Sequence, residues 1–154
     1  MVNEETWRVK KIIKGSLPQE SITVGSLKKT FGEVQAVKDI SFSISRNESF
    51  ILLGINGAGK STTFRCLTAE EIISDGKILL NGKDIYEYHG NPDKMGGVIG
   101  YCPQTNPLMM IMTVKETLQF FAVLRGVSPN QASDYACSYS KKFDIHRYLN
   151  TLAY

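Results

Sequence analysis

One run of residues has the composition and spacing of a phosphate-binding loop. Residues 54–61 read Gly-Ile-Asn-Gly-Ala-Gly-Lys-Ser and fit the pattern GxxxxGK[ST]. Glycines let the backbone wrap close to phosphate oxygens, with positive φ where the turn needs it, so that successive N–H groups point at the anion. A helix that begins near Lys60 would add the positive end of its dipole. The motif therefore predicts a nucleotide-phosphate site; the simpler alternative is a glycine-rich surface turn before a helix.

The side chains of the motif have separate expected roles. Lys60 is placed to reach the β- and γ-phosphate oxygens, and the Ser61 hydroxyl can join the coordination of Mg²⁺, which prefers oxygen ligands. Thr62 can offer a hydroxyl to the α-phosphate. The remaining positions that we expect to line the nucleotide are Gly54, Asn56, Gly57, Ala58 and Gly59.

The flanking patterns predict the elements that position this loop. The consecutive apolar residues of 48–54 favour a central strand buried on both faces, as in parallel sheets. Residues 62–69 favour a helix with Phe64 and Leu67 directed inward. Near-alternating or Gly-bounded apolar runs predict further strands at 22–24, 34–45, 77–81 and 98–101.

Residues 1–20 mix charge with glycine and proline and are interpreted as a linker or extension. In the last third, Thr113 to Glu116 is a capping-box sequence, and Ser128 with Pro129 opens a second helix. The apolar face of that second helix is predicted to be core; its members are Ala132, Tyr135, Ala136, Tyr139 and Phe143.

Composition excludes several classes of protein. The chain has 154 residues, of which 42% are hydrophobic and 21% charged, so it is not a disordered chain. The net charge is only +3 and the sequence has no strong basic patch, so its charge does not indicate nucleic-acid binding. The longest apolar runs are five residues, far below the ~20 that a membrane span needs. Three scattered cysteines indicate neither a disulfide framework nor a zinc site, and they favour a reducing compartment.

Four further segments surround the loop in an order that resembles a known family. They are 27–31 (LKKTF), 74–82 (SDGKILLNG), 99–104 (IGYCPQ) and 112–118 (MTVKETL). In order and spacing they resemble the nucleotide-binding domain of ABC transporters, most closely subfamily A, the lipid exporters. The resemblance covers residues 21–154. It implies an α/β P-loop NTPase core of ABC type, with an antiparallel β-subdomain and phosphate loop over 21–104, the start of a helical subdomain over 105–154, and an incomplete sheet.

The resemblance also implies further site residues. Phe31 would stack on adenine, where the family more often has tyrosine; taken alone, it could equally be a core phenylalanine. Gln104 would be the glutamine that touches Mg²⁺ or the attacking water and couples to the transmembrane domains; taken alone, it would be a solvated loop residue. Lys60 and Gln104 are thus the expected catalytic residues, ATP with Mg²⁺ the expected ligand, and Ser61 and Gln104 the expected metal contacts. The implied partners are the transmembrane domains and a second nucleotide-binding domain, at the cytoplasmic face of a membrane.

Parts that hydrolysis requires are not found in this sequence. No Asp or Glu follows four apolar residues, so the Walker B strand is missing, and the family's signature sequence, catalytic glutamate and switch histidine are missing as well. His89 and His146 lie too early to be the switch. Without the neighbouring Walker B strand, residues 50–53 should expose an unpaired apolar edge. We therefore expect a fragment or a truncated product that does not hydrolyse ATP by itself.

Three functions remain open at this point. The first is the ATP-binding portion of an ABC transporter that couples ATP binding and hydrolysis to transmembrane transport, with lipid as the expected substrate. The second is a truncated, non-catalytic nucleotide-binding or interaction module. The third is an unrelated small P-loop kinase or GTPase; residues 81–84 hold the letters of a guanine clamp in the wrong order, and 93–96 fit only the common pattern DxxG.

Overall fold

The computed structural model describes residues 2–88 and 98–153. The chain forms two compact units, Met1–Ile99 and Gly100–Tyr154. The first unit contains α1 (Val2–Ile13), β1 (Ile22–Phe31), β2 (Val34–Ile44), α2 (Lys60–Leu67), β3 (Asp75–Leu80) and β4 (Lys83–Asp84). The second contains α3 (Val114–Leu124) and α4 (Pro129–Lys142). Single 3-10 turns lie at Ile85–Glu87 and His146–Tyr148.

The first unit is built on an antiparallel sheet with the strand order β2-β1-β3-β4. β1 is central and pairs with β2 along its whole length, from Ile22 opposite Ile44 to Phe31 opposite Val34. The β3–β4 connection is a two-residue turn in which Asn81 and Gly82 both have positive φ, as a type I′ hairpin requires. The letters of residues 81–84 therefore belong to a hairpin turn and not to a guanine clamp.

β1 is buried on both faces of the sheet. Val24 contributes to the main core, which includes Cys66 and Leu67 of α2. The next residue, Gly25, faces α1: a Cβ at this position would lie 2.5 Å from Ile13 Cδ1. The sheet is thus covered by α2 on one face and α1 on the other. The main core consists of Val24, Leu27, Val37, Phe42, Cys66, Leu67, Ile73, Ile78, Leu80, Ile85 and Tyr88.

Residues 1–20, interpreted from sequence as a linker or extension, contain the helix α1. Val9 and Ile12 are each only 1% exposed, and the Glu5 carboxylate accepts hydrogen bonds from Ser43 N–H at 2.8 Å and from the Ser43 hydroxyl at 2.7 Å. The helix is fixed by tertiary contacts with β1 and β2, because its own apolar period is too short to be conspicuous in the sequence.

The central strand predicted at 48–54 does not form. Residues 48–55 have no strand structure, and Ile51 and Leu53 are 76% and 84% exposed. The ring of Phe50 stacks on that of Phe42, with centroids 4.9 Å apart. Within the described residues no strand pairs with this segment, so its backbone N–H and carbonyl groups form no inter-strand hydrogen bonds. Phe50, Ile51 and Leu53 are exposed, as expected for an unpaired apolar segment, whereas Leu52 is half-buried. The predicted strand at 98–101 is also not formed.

Two predictions of inward-facing side chains were correct only in part. Leu67 of α2 is buried, as predicted. Phe64 of α2 is 47% exposed, and Cys66 occupies the core in its place. On α4, Ala132 and Ala136 are buried, but the aromatic residues are exposed and stack on one another along the helix. The Tyr135 and Tyr139 centroids are 4.7 Å apart and those of Tyr139 and Phe143 5.8 Å. Small side chains pack more closely against a neighbouring helix than rings can.

The second unit is a pair of packed helices joined by a short turn. Gly126, with φ +90°, follows the end of α3. Pro129 is the first residue of α4, as predicted. The segment 149–153 pairs with the start of α3, where Ala153 N–H donates to the carbonyl of Met112 at 3.0 Å. The predicted capping box is formed in both directions. Donation from the Thr113 N–H and hydroxyl lowers the pKa of the Glu116 carboxyl.

The capping box leads to a prediction for the stability of α3. Thr113→Ala removes the acceptor of the Glu116 N–H and the hydroxyl that donates to Glu116, and it should cost about 1 kcal/mol. Faster amide hydrogen exchange of Glu116 N–H, measured by NMR, is the expected sign. Thr113→Ser, which keeps the hydroxyl, is the control. Equal exchange in both variants and the unsubstituted chain would show that the cap does not stabilise this end.

Candidate nucleotide-binding site

The phosphate loop adopts the conformation that its glycines allow. Gly57 and Gly59 have φ of +82° and +86°. Ala58 N–H donates to the carbonyl of Ile55 at 3.2 Å, which closes a tight turn inside the loop. Gly59 is the N-cap residue of α2, and its carbonyl accepts from Thr63 N–H at 2.8 Å. The predicted passage from loop to helix at Lys60 is therefore present.

The start of α2 presents free backbone donors. Within the described residues, the N–H groups of Gly59, Lys60, Ser61 and Thr62 donate no hydrogen bond. Such groups at a helix N-terminus carry the positive end of the dipole and bind anions. Four adjacent donors on a loop that turns back on itself provide a cradle for phosphate oxygens.

Lys60 reaches back across this loop. Its ammonium donates to the carbonyls of Gly54 at 2.7 Å and Ile55 at 2.8 Å. An ammonium has three donors, so one remains for a ligand oxygen. These two bonds also hold the first and last parts of the loop together.

The hydroxyls of α2 differ in their surroundings. Thr63 is buried, and its hydroxyl donates to the carbonyl of Gly59 at 3.0 Å. Ser61 is exposed, and within the described residues its hydroxyl has no hydrogen-bond partner. A free hydroxyl at the start of the helix is a suitable oxygen donor for Mg²⁺ next to bound phosphates. Thr62 is half-buried in the same turn.

Gly59 fixes the loop against the sheet. A Cβ at Gly59 would lie 2.3 Å from the carbonyl oxygen of Ala36 and 3.2 Å from Val37 Cγ2, both on β2. Only a residue without a side chain can approach a strand backbone this closely. A cavity of about 470 Å³ lies beside this contact; it is bordered by β2 residues 35–40, by Leu52 and Leu53, and by Gly57, Ala58, Lys60 and Thr63.

Phe31 lies at the end of β1 that is nearest this contact. It is 42% exposed and pairs with Val34, two residues before Ala36 on β2. The Lys29 ammonium lies 4.5 Å from the centroid of the Phe31 ring. Lys29 therefore covers one face of the ring, while the ring remains accessible enough to stack with a planar group.

Lys29 belongs to a charged network that sequence reasoning did not find. Its ammonium lies 3.0 Å from the Glu71 carboxylate and donates to the carbonyl of Ile72 at 2.8 Å. Arg65 of α2 also contacts Glu71, at 2.6 Å. The hydrogen bond from Lys29 and the charge of Arg65 lower the pKa of the Glu71 carboxyl. The network connects β1 to the end of α2; its members are up to 43 positions apart, so no local pattern could have predicted it.

Gln104 is in the second unit, in an exposed bend. The structure thus brings together the loop, α2 and the β1–β2 end within one unit, and it does not include Gln104 in that unit. His146 is exposed, and its Nδ1 lies 3.1 Å from the Ser140 hydroxyl. His89 and residues 93–96 lie outside the described residues. No helix among the described residues is long and apolar enough to span a membrane.

Comparison with known proteins identifies the family. The family model described as "ABC transporter" matches residues 37–154. The chain is 36% identical over 125 residues to the ABC transporter ced-7 of Caenorhabditis elegans, covering 81% of this chain and 7% of that protein. It is also 36% identical over 129 residues to the phospholipid-transporting ATPase ABCA3 of Mus musculus, and this match covers 82% of this chain and 7% of that protein. The chain therefore belongs to the ABC transporter family, and its resemblance to subfamily A is confirmed.

A solved structure supports the fold. It is the structure of an ATP-binding subunit of an ABC transporter, matches with a TM-score of 0.70 at 26% identity, and covers 85% of this chain and 53% of that one. The predicted α/β fold of ABC type, with an antiparallel β-subdomain, is confirmed. The chain spans less than a tenth of the length of its animal relatives and about half of the solved subunit.

The contact of Gly59 with β2 gives a paired prediction. Gly57→Ala places a side chain at positive φ in open space and should cost about 1–2 kcal/mol. Gly59→Ala meets the same strain and a backbone clash as well, so it should lower the free energy of unfolding further. Urea unfolding followed by the fluorescence of Trp7, the chain's single tryptophan, measures both. An equal decrease in the free energy of unfolding in the two variants would show that β2 shifts to accommodate the new side chain at no energetic cost.

The lowered pKa of Glu71 predicts a pH dependence. A carboxyl with a pKa below its ordinary value of about 4.3 stabilises the folded chain above that pH, and this stabilisation is lost as the pH falls through the folded-state pKa. The difference in unfolding free energy between the unsubstituted chain and Glu71→Gln should therefore be largest above about pH 5 and should shrink on acidification. Urea titrations over this range measure it, with Glu33→Gln, in the exposed β1–β2 turn, as control. A difference independent of pH would contradict the prediction.

Proposed function

We propose that this chain binds ATP with Mg²⁺ through the phosphate loop and Phe31, as the ATP-binding portion of a transporter that moves lipid. The observation that carries the proposal is the cradle of four free N–H groups at the start of α2, next to the Lys60 ammonium. An anion at this position would meet both the backbone donors and the third ammonium proton. The family membership of the chain supports ATP as the source of that anion.

The other groups take their roles from this arrangement. Ser61 would supply a hydroxyl to Mg²⁺, and Thr62 would contact the α-phosphate. Phe31 would stack on adenine with the ring face that Lys29 leaves open. Stacking without groups that read the base edges should discriminate poorly between ATP and GTP. Gln104 remains proposed as the residue that joins the metal and water and couples to the transmembrane domains.

The transported substrate and the partner domains are inferred from the relatives of this chain. Besides ABCA3, a mouse relative that is 36% identical over 137 residues is named a glucosylceramide transporter. We infer that the whole protein transports lipid, with this portion on the cytoplasmic face of a membrane. Transmembrane domains and a second nucleotide-binding domain would be its partners, the latter completing the ATP site. Each of these relatives is more than ten times the length of the matched segment.

A non-catalytic role for this chain by itself is the second candidate. The exposed, unpaired segment 50–53 favours it, because the strand that would normally support the loop from that side is not found among the described residues. The chain would then bind nucleotide without turnover.

Nucleotide binding and hydrolysis are tested together. Lys60→Ala should weaken MgATP binding, measured by isothermal titration calorimetry, about 10–100-fold, because a hydrogen bond to a charged group contributes about 1.5–3 kcal/mol. Lys83→Ala, on the remote strand β4, is the matched control. Phe31→Ala should weaken binding several-fold, and Phe31→Tyr should keep it.

We expect no multiple-turnover phosphate release from the unsubstituted chain. Turnover that survives purification but disappears in Lys60→Ala would contradict the non-catalytic role. Binding that is the same in Lys60→Ala and Lys83→Ala would contradict the proposed site.

A further inference from the structure

The outward face of α1 is a compact surface on which an aromatic residue is surrounded by lysines. Trp7 is 60% exposed, and the Lys11 ammonium lies 5.2 Å from the centroid of its ring. Lys10 lies three residues after Trp7, on the same side of a helix of 3.6 residues per turn. Lys14 is the first residue after α1 and continues the same side, because its N–H donates to the carbonyl of Lys10 at 3.1 Å. We call Trp7, Lys10, Lys11 and Lys14 the basic aromatic face.

This face points away from the rest of the unit. Val9 and Ile12, on the opposite side of α1, are almost fully buried. Gly25 of β1 lets the helix approach closely, and Glu5 is bonded to Ser43 of β2. The contacts that the opposite side of α1 makes with the sheet therefore orient the basic aromatic face away from the sheet. The phosphate loop does not take part in these contacts.

The charges of the face are not neutralised locally. Within the described residues, no carboxylate lies within 4 Å of the ammonium groups of Lys10, Lys11 or Lys14. The nearby Arg8 is different, since it is paired with Glu5 and Glu20. Glu4 borders the face at the N-terminal end of the helix. The chain as a whole carries only +3, so this cluster is a local concentration of charge.

We propose that the basic aromatic face of α1 docks on the surface of an anionic lipid bilayer. An indole ring is favoured at the boundary between headgroups and acyl chains, and lysines beside it attract anionic headgroups. A face with one large aromatic residue and three cations binds weakly and reversibly, which suits a contact that orients a domain rather than anchoring it. The proposal does not depend on nucleotide binding, and the two can fail separately.

The whole chain provides a direct readout, because Trp7 is its single tryptophan. Vesicles of phosphatidylcholine with about a third phosphatidylserine should shift the Trp7 emission to shorter wavelength and sediment the chain, and neutral phosphatidylcholine vesicles should do neither. Binding should weaken as salt is added. Each lysine near an anionic surface contributes about fivefold in affinity, so the triple variant K10Q/K11Q/K14Q should bind about a hundredfold more weakly.

The matched control is K83Q/K115Q/K141Q, which removes the same charge from other parts of the chain and should bind as the unsubstituted chain does. Trp7→Ala should weaken sedimentation with vesicles while circular dichroism remains unchanged, since Trp7 is exposed. Equal binding to neutral and anionic vesicles would overturn the proposal, because the exposed apolar segment 50–53 would then explain adhesion. Equal losses in the two triple variants would overturn it as well. Binding to polyglutamate or RNA but not to vesicles would assign the face to an acidic macromolecule and overturn the bilayer proposal.

Discussion

At the start of α2, Gly59 lies so close to β2 that no side chain fits between its Cα and the carbonyl of Ala36. This contact decides where the helix begins and which way its free N–H groups point. It requires a residue that adopts positive φ at no steric cost and has no Cβ, and glycine alone meets both conditions. Lys60, the next residue, closes the loop by bonding its carbonyls. The anion-binding geometry therefore depends on a contact between loop and sheet.

The same end of the sheet holds the ring proposed to receive the base. Phe31 and Ala36 lie near the β1–β2 turn, so the aromatic residue and the loop share β2 as their support. The network of Lys29, Glu71 and Arg65 adds a second connection, from β1 to the end of α2. Because Lys29 also lies over the Phe31 ring, one side chain links the stability of this network with the accessibility of the ring. Base and phosphate sites are thus parts of one packed arrangement.

The segment that precedes the loop is supported differently. Phe50 stacks on Phe42, whereas Ile51 and Leu53 are exposed. An extended apolar segment becomes a strand only when neighbouring backbones accept and donate its hydrogen bonds. Among the described residues none does so for 50–53. The phosphate loop is therefore fixed to β2 through Gly59, whereas the segment that leads into residue 54 has no strand partner among the described residues.

Local sequence determined those features whose causes lie within a few residues. The positive φ of the loop glycines, the start of a helix at Lys60, the capping box of Thr113 and Glu116, and the strand at 34–45 form as predicted. The first strand was predicted only over 22–24 and extends to Phe31. Tertiary structure decided the rest. It made a helix of residues 2–13 by burying Val9 and Ile12, left 50–53 without strand partners, and exposed Phe64 and the aromatic residues of α4. Periodicity shows that a face is apolar, but packing against a particular neighbour decides whether that face is buried, and that neighbour is distant in sequence.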